Sequence, residues 1–339
     1  MKRDPLPTGK LDIHLLGKLL KKYAVADESV LLGPAVGEDA AAVDLGDKLL
    51  IVATDPITFA THEIGYYSVM VNANDVATTG AEPKWYTVTI LLPEKDTSES
   101  LVDRIFEQIH RACETLNISV IGGHTEVTYG LDRPILVGQM MGEVQKGALI
   151  TTAGAEPGDV ILLSKGICIE GTSVIAREME RDLSSRGVSR DLVDRAQRFL
   201  FEPGIGVVEE ARLACRAGGV HAMHDPTEGG LANGLHELAM AAGVAIEVEI
   251  DRIPVYEESQ ILCEAYHLNP LGVIASGSLL ITASPPDAEK ILERANRGGV
   301  AMSRIGRVMG RGAASVSMLT PEGDAPLPYF DRDEVVKIL

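Results

Sequence analysis

Leu49-Leu50-Ile51-Val52-Ala53-Thr54-Asp55 is an apolar run that ends on a carboxylate, and its surroundings decide the fold. The run reads as a buried strand delivering Asp55 to its carboxyl end, where open α/β sheets place ligands. A helix is expected from about residue 63 to 79, stopped by Gly80. Residues 85–92 then alternate as a strand up to Pro93. Working outward, Leu11, Leu15, Leu16, Leu19 and Leu20 recur at helical spacing, giving a helix over 11–22. Leu101, Ile105, Ile109, Ala112 and Leu116 give another, with Thr97 or Ser98 as its cap. Val120-Ile121 and residues 135–144 read as strands on either side of a glycine-rich station. The turn-rich stretch 153–159 marks a break. Beyond it come strands at 160–164, 245–250, 278–283 and 301–309. Helices are expected near 172–183, 190–201, 205–217, 230–242, 256–266 and 286–297. The expectation is a two-domain α/β (α+β) protein, divided as 1–152 and 158–339.

The 339 residues carry 31 Lys and Arg against 49 Asp and Glu, a formal charge of −18. A field of that sign repels nucleic acid and anionic membrane, so neither is expected as a partner. Cys113, Cys168, Cys215 and Cys263 are far apart and form no C-x-x-C pair, which points to neither a disulfide framework nor zinc. Met1-Lys2-Arg3-Asp4-Pro5 lacks the apolar run of a signal peptide, and no stretch reaches transmembrane length. A cytoplasmic protein is expected.

Five short polar stations carry the chemistry: Gly37-Glu38-Asp39-Ala40-Ala41, Thr54-Asp55, Asn72-Ala73-Asn74-Asp75, Gly122-Gly123-His124-Thr125-Glu126, and Asp225-Pro226-Thr227-Glu228-Gly229-Gly230-Leu231. Each alone reads equally as an acidic turn, a helix cap or a bulge. Together they suit a magnesium–triphosphate, because Mg²⁺ keeps most of its waters and takes one or two carboxylates plus phosphate oxygens. Thr54 could hold Asp55 through its hydroxyl. Asn72 and Asp75 share one helix face that is otherwise apolar, which is costly unless they are paired or bound to a ligand. Gly122-Gly123 leave backbone open to phosphate oxygens, although no Walker loop or G-x-G-x-x-G is present. Gly229-Gly230 suggest close approach of an anion to a helix N-terminus. His221 and His224 lack the partner set for a metal.

These motifs resemble the aminoimidazole-ribonucleotide synthetase (PurM, or AIR synthase-related) superfamily of ATP-using enzymes, over about residues 9–310. Within it the sequence looks closest to the HypE hydrogenase-maturation family. The resemblance rests on Gly9-Lys10-Leu11, Gly37–Ala41, Asn74-Asp75-Val76-Ala77-Thr78-Thr79-Gly80-Ala81-Glu82-Pro83, Asp225–Ala232 and Asn269-Pro270-Leu271. It implies an N-terminal sheet domain that forms a homodimer and a C-terminal α/β domain that closes over a nucleotide. It implies ATP and Mg²⁺ as cofactors, with Asp39, Asp55 and Asp75 holding the metal. Gly122, Gly123 and Thr125 would line the phosphates, Lys10 would cover them, and Thr54 and Asn72 would support the nucleotide. Asp75, Asp225 and His124 are the catalytic candidates. Such enzymes phosphorylate an oxygen, often that of a small-molecule or protein-borne amide.

Three departures from the HypE pattern stand out. The chain ends Val336-Lys337-Ile338-Leu339, without the terminal cysteine on which HypE carries its thiocarboxamide, and this tail reads as a short docked helix. Glu228 stands where HypE has arginine, which inverts a charge. His124 replaces an acidic residue, leaving Glu126 to compensate. The alternatives are a small-molecule kinase of the thiamine-monophosphate type and a non-catalytic ATP-sensing partner protein.

Overall fold

The computed structural model describes residues 6, 9–23, 25–58, 60–320 and 323–339, so Met1–Pro5 lies outside the described residues. Its N-terminal part carries helices α1 (Ile13–Tyr23), α2 (Ile64–Thr78) and α3 (Glu99–Leu116). Its strands are β1 (Val30–Leu32), β2 (Ala41–Asp44), β3 (Lys48–Ile57), β4 (Glu82–Pro93), β5 (Ser119–Thr128) and β6 (Ile135–Gln145). They form one sheet in the order β1-β2-β3-β6-β4-β5, antiparallel except for the parallel pair β4·β5.

The C-terminal part carries β7 (Val160–Ser164), β8 (Val220–His224), β9 (Val244–Glu249), β10 (Leu280–Ala283), β11 (Met302–Arg311), β12 (Ser315–Thr320) and β13 (Gly323–Pro326). Their order is β13-β12-β9-β11-β7-β10-β8, with only β9·β12 parallel. Around them lie α4 (Ile169–Glu178), α5 (Glu180–Ser185), α6 (Arg190–Gln197), α7 (Val208–Ala217), α8 (Gly230–Ala242), α9 (Glu257–Tyr266) and α10 (Pro285–Arg297). No described helix is long and apolar enough to cross a membrane.

Local chemistry explains the elements. Ser98 caps α3, its hydroxyl accepting from Leu101 N at 3.3 Å, and Asn117 ends the helix in the left-handed conformation. The α3 stripe Ile105, Ile109, Ala112 and Cys113 is buried. Helix α2 has no solvent face: every residue but Tyr66 is buried, because it packs on β3, β4 and β6, on α3, and on α7 of the other part. That placement puts residues 72–75 at the seam between the two sheets.

The structure amends several expectations. Mostly antiparallel sheets make the α+β description the accurate one, so the rule for ligands at the ends of parallel strands does not apply. Asp55 lies inside β3, two residues before its end. The glycine-rich station is no loop but the middle of unbroken β5. Strand β8 was not expected, since Val220-His221-Ala222-Met223-His224 is half polar, yet it pairs along β10.

Helices α2 and α3 cover one face of the N-terminal sheet. The other face presents Leu50 and Val52 of β3, Trp85 and Leu91 of β4, and Val137 and Met141 of β6, all only half-buried. On edge strand β5, Val120, Ile121 and Val127 are exposed. The row Thr54–Gln139–Thr87 crosses this face between its apolar residues, and an open sheet face that is part apolar and carries an exposed apolar edge strand suits a partner. The full-length chain is therefore expected to sediment as a dimer at micromolar concentration. Val52→Lys with Met141→Lys, at paired positions in the middle of that face, should shift it to a folded monomer. A wild-type monomer, or an unaltered dimer in the double variant, would place the interface elsewhere.

Candidate functional site

A cleft of about 700 Å³ opens between the two parts. Lys10, Asp39, Asp55, Asp75, His224, Asp225 and Glu228 line it. Four of the five stations thus converge from loops, a strand and a helix up to 189 residues apart in sequence (Asp39 to Glu228).

The α2 motif divides its work. Asn72 is fully buried and clips β3 to the helix: its Oδ1 accepts from Asp55 N at 2.9 Å, and its Nδ2 donates to Asp55 O at 3.2 Å and Ser68 O at 2.8 Å. Asn74 reaches across the seam, donating to Ile205 O and accepting from Val207 N, each at 2.8 Å. Asp75 faces the cleft. Asn72 is therefore a positioning residue for Asp55, since its side chain is spent on protein partners. Thr54 does not serve that purpose. Strand alternation turns it to the opposite face from Asp55, and its hydroxyl donates to Gly138 O at 2.7 Å.

The acids are held without enough positive charge. Burial pushes Asp55 up to about 6, with the Glu228 charge adding to it. Burial likewise raises Asp75 and Asp225 well above the usual carboxylate range, Asp55 adding to the first and Asp39 to the second. Asp225 is 2% exposed, and neither of its carboxylate oxygens has a hydrogen-bond partner. Asp39 alone is matched. His224, at the end of β8, takes Asp39 at 2.9 Å through Nδ1 and Glu237 of α8 at 3.0 Å through Nε2. Burial opposes its charge, but the two carboxylates hold it well above the usual histidine value, so the ring is an imidazolium tying the two parts together. Glu38, the neighbour of Asp39, accepts from Thr152 N and Ala153 N at 3.1 Å and fixes the connection between the parts.

Lys10 lies across the cleft mouth, donating to Thr227 Oγ1 at 2.8 Å and standing 3.3 Å from Glu228 Oε2. The N-terminus of α8 is already occupied. Gly229 N donates to Asp333 Oδ2 at 2.7 Å, so the anion at this helix start is the chain's own. The left-handed Gly229 and Gly230 are required by protein neighbours: a Cβ would fall 1.9 Å from Asn233 Nδ2 and 2.5 Å from Leu271 O. The C-terminal segment is docked, as its apolar residues suggested. Glu334–Lys337 form a 3₁₀ turn with Val335 buried, and Glu334 Oε2 accepts from Asn269 N.

Gly122, Gly123, His124 and Thr125 stand apart from this cleft, exposed on the edge strand β5. Gly123 is explained by strand packing, because a Cβ there would lie 2.3 Å from Val88 O. His124 Nε2 meets Glu126 Oε2 at 3.2 Å in solvent. In one chain none of these four reaches the acids. Sequence reading missed His224 and Glu237; their signal was the H-D-P run following a strand that half-polar alternation concealed.

Among the described residues no group of three or more His, Cys, Asp or Glu side chains is gathered so as to hold a metal ion by itself. The carboxylates fit Mg²⁺ in another way. Asp55, Asp75 and Asp225 offer hard oxygen ligands to one cleft, and the orphaned oxygens of Asp225 need a cation. Magnesium completes its octahedron with water and phosphate rather than with a protein cage.

Residues 37–144 match the AIR synthase related protein N-terminal domain, and residues 156–318 match the C-terminal domain. The chain belongs to the AIR synthase related family. It is 32% identical to the carbamoyl dehydratase HypE of Cupriavidus necator over 287 residues, covering 81% of this chain and 77% of that protein. It is also 32% identical to the HypE of Azotobacter vinelandii, covering 84% and 82%. A crystal structure of the hydrogenase maturation protein HypE in complex with ATP superposes with a TM-score of 0.69 at 23% identity, covering 97% and 98%. Within the family, then, this chain is a HypE-like enzyme of the PurM superfamily.

The acid cleft makes stability depend on pH. A carboxyl that binds its proton more tightly in the fold than in the unfolded chain stabilises the fold at low pH. That contribution is lost as pH rises through the folded value. With Asp55 at about 6 against an ordinary 3.8, and Asp75 and Asp225 raised in the same direction by burial, the metal-free protein should melt several degrees lower at pH 7.5 than at pH 5. Asp55→Asn should flatten the part of that slope between about 4 and 6. A wild-type melting temperature that climbs through this window would contradict the burial of the acids.

Proposed function

We propose that this protein is a Mg²⁺-dependent, ATP-using enzyme that activates an amide-like oxygen of its substrate by phosphorylation. The observation that carries the reading is Asp225, whose buried and unpartnered carboxylate faces a cleft already containing Asp39, Asp55 and Asp75. So much unneutralised acid is expensive unless the resting partner is a cation that arrives with a ligand. Bound there, Mg²⁺ would neutralise phosphate charge and orient the γ-phosphoryl group.

The chain's own residues supply the rest. Asp55 and Asp75 are the nearest candidates to hold the metal, with Asn72 fixing the backbone of the first. Asp39 is oriented by His224, whose Nδ1 stands 2.9 Å from its carboxylate. Lys10, now spent on Thr227 and Glu228, is placed to swing onto the phosphates as they enter. Asp225 stands on the C-terminal side of the cleft, where an acceptor hydrogen-bonds or gives up a proton. The γ-phosphoryl group would pass to the acceptor oxygen and ADP would leave, making that oxygen a leaving group.

The open sheet face supports a homodimer, and β5 lies at its edge. A role for Gly122, Gly123, His124 and Thr125 accordingly belongs to the assembled dimer. The four free cysteines are in keeping with a cytoplasmic protein.

Calorimetric titration of ATP with and without Mg²⁺ tests the reading. Binding should require the metal. Asp55→Asn and Asp75→Asn, which keep side-chain shape, should each weaken it at least about tenfold, or ~1.4 kcal/mol. Metal-independent binding, or unchanged affinity in both folded variants, would refute the assignment.

A further inference from the structure

Adjoining the nucleotide cleft, and sharing Asp55, Thr227 and Glu228 with it, lies a second and smaller recess of about 30 Å³. Asp55, Glu170, Glu228 and Ser276 provide its polar wall, and Ile57 and Ile274 part of its apolar wall. None of the residues lining it is Lys, Arg or His. Glu170 sits in the first turn of α4, its backbone N–H donating to Ser276 O at 3.2 Å. Its side chain is 6% exposed, and Oε2 is buried without any hydrogen-bond partner. Nothing in the nucleotide reading uses it.

A buried carboxylate oxygen left unpaired is costly, and such a group in a lined recess calls for a partner that the chain does not supply. The recess has room for one small group and no more. Three carboxylates converge on it with no cationic side chain among its walls. Lys10, which lines the cleft and not the recess, is held by Thr227 Oγ1 at 2.8 Å and Glu228 Oε2 at 3.3 Å. Asp55 and Glu228 belong to both spaces, so whatever fills the recess touches the wall of the nucleotide cleft.

We propose that this recess is the specificity end of the acceptor site, seating one protonated nitrogen, an ammonium or one edge of an amidinium or guanidinium, between Glu170, Glu228 and Asp55. This rests on the nucleotide reading of the neighbouring cleft, and it names the acceptor class: a molecule with a cationic nitrogen close to the oxygen that is phosphorylated. Glu170 is its principal partner, because its free oxygen is the one that protein leaves unsatisfied. Burial lifts the Glu170 carboxyl to about 8.

Saturation-transfer NMR on the full-length protein tests this with methylammonium, methylguanidinium, acetamide and acetate as probes. Nucleotide affinity is titrated separately on the same preparations. The wild type should bind the two cations at least about tenfold more tightly than acetamide or acetate. Glu170→Gln should remove most of that preference, and Glu228→Gln part of it. Equal binding of cations and acetamide by the wild type overturns the proposal whether or not the variants fold. So does an unchanged preference in folded Glu170→Gln. Cation binding without any nucleotide binding would sink the nucleotide reading and leave the recess as a cation site. Nucleotide binding without cation preference would sink this inference alone.

Discussion

Everything in this molecule is arranged around a group of buried carboxylates that the protein does not itself neutralise. Asp55, Asp75 and Asp225 meet at the seam of the two parts, and burial drives all three toward their protonated forms. A fold selected for stability alone would replace them with apolar residues of similar size. Perturbed acids gathered in one cleft mark it as a functional site and not as part of a stabilising core. The surrounding structure is built to hold them in place despite their cost.

The main holding device is helix α2. Because it is buried on all sides, its polar residues have to be satisfied by the elements packed around it. Asn72 ties it to β3, and Asn74 ties it to the loop at residues 205–207. Asp75 is the third polar residue of the same run, and it is left facing the cleft. Opposite, the Asp39–His224–Glu237 triad bridges the two parts by charge. One apolar helix and one imidazolium thus set the separation of the acids.

Much of this was legible in the sequence. Apolar periodicity located α2, α3 and most strands, and Asp39, Asp55, Asp75, Asp225 and Lys10 do meet in one cleft. The failures have physical causes. Thr54 was grouped with Asp55 because they are adjacent, but adjacent residues on a strand face opposite ways. Gly122-Gly123 reads as a loop, whereas in the fold it lies within edge strand β5, and at Gly123 Val88 O leaves no room for a side chain. Gly229-Gly230 do mark an anion at a helix start, but the anion is Asp333, about a hundred residues away in sequence. In the sequence His224 is considered only as a metal ligand and set aside, and Glu170 is not singled out, since their meaning comes from partners that only the folded chain brings near.

The account stands or falls on where a metal goes when a nucleotide is present. A crystal structure of the full-length protein with Mn²⁺ and a non-hydrolysable ATP analogue answers this through the anomalous signal of manganese. The expected result is a peak within about 2.5 Å of carboxylate oxygens from at least one of Asp55, Asp75 and Asp225, bridging to the phosphates. A nucleotide seated in the cleft with no metal at those acids, or manganese bound elsewhere on the chain, would contradict it.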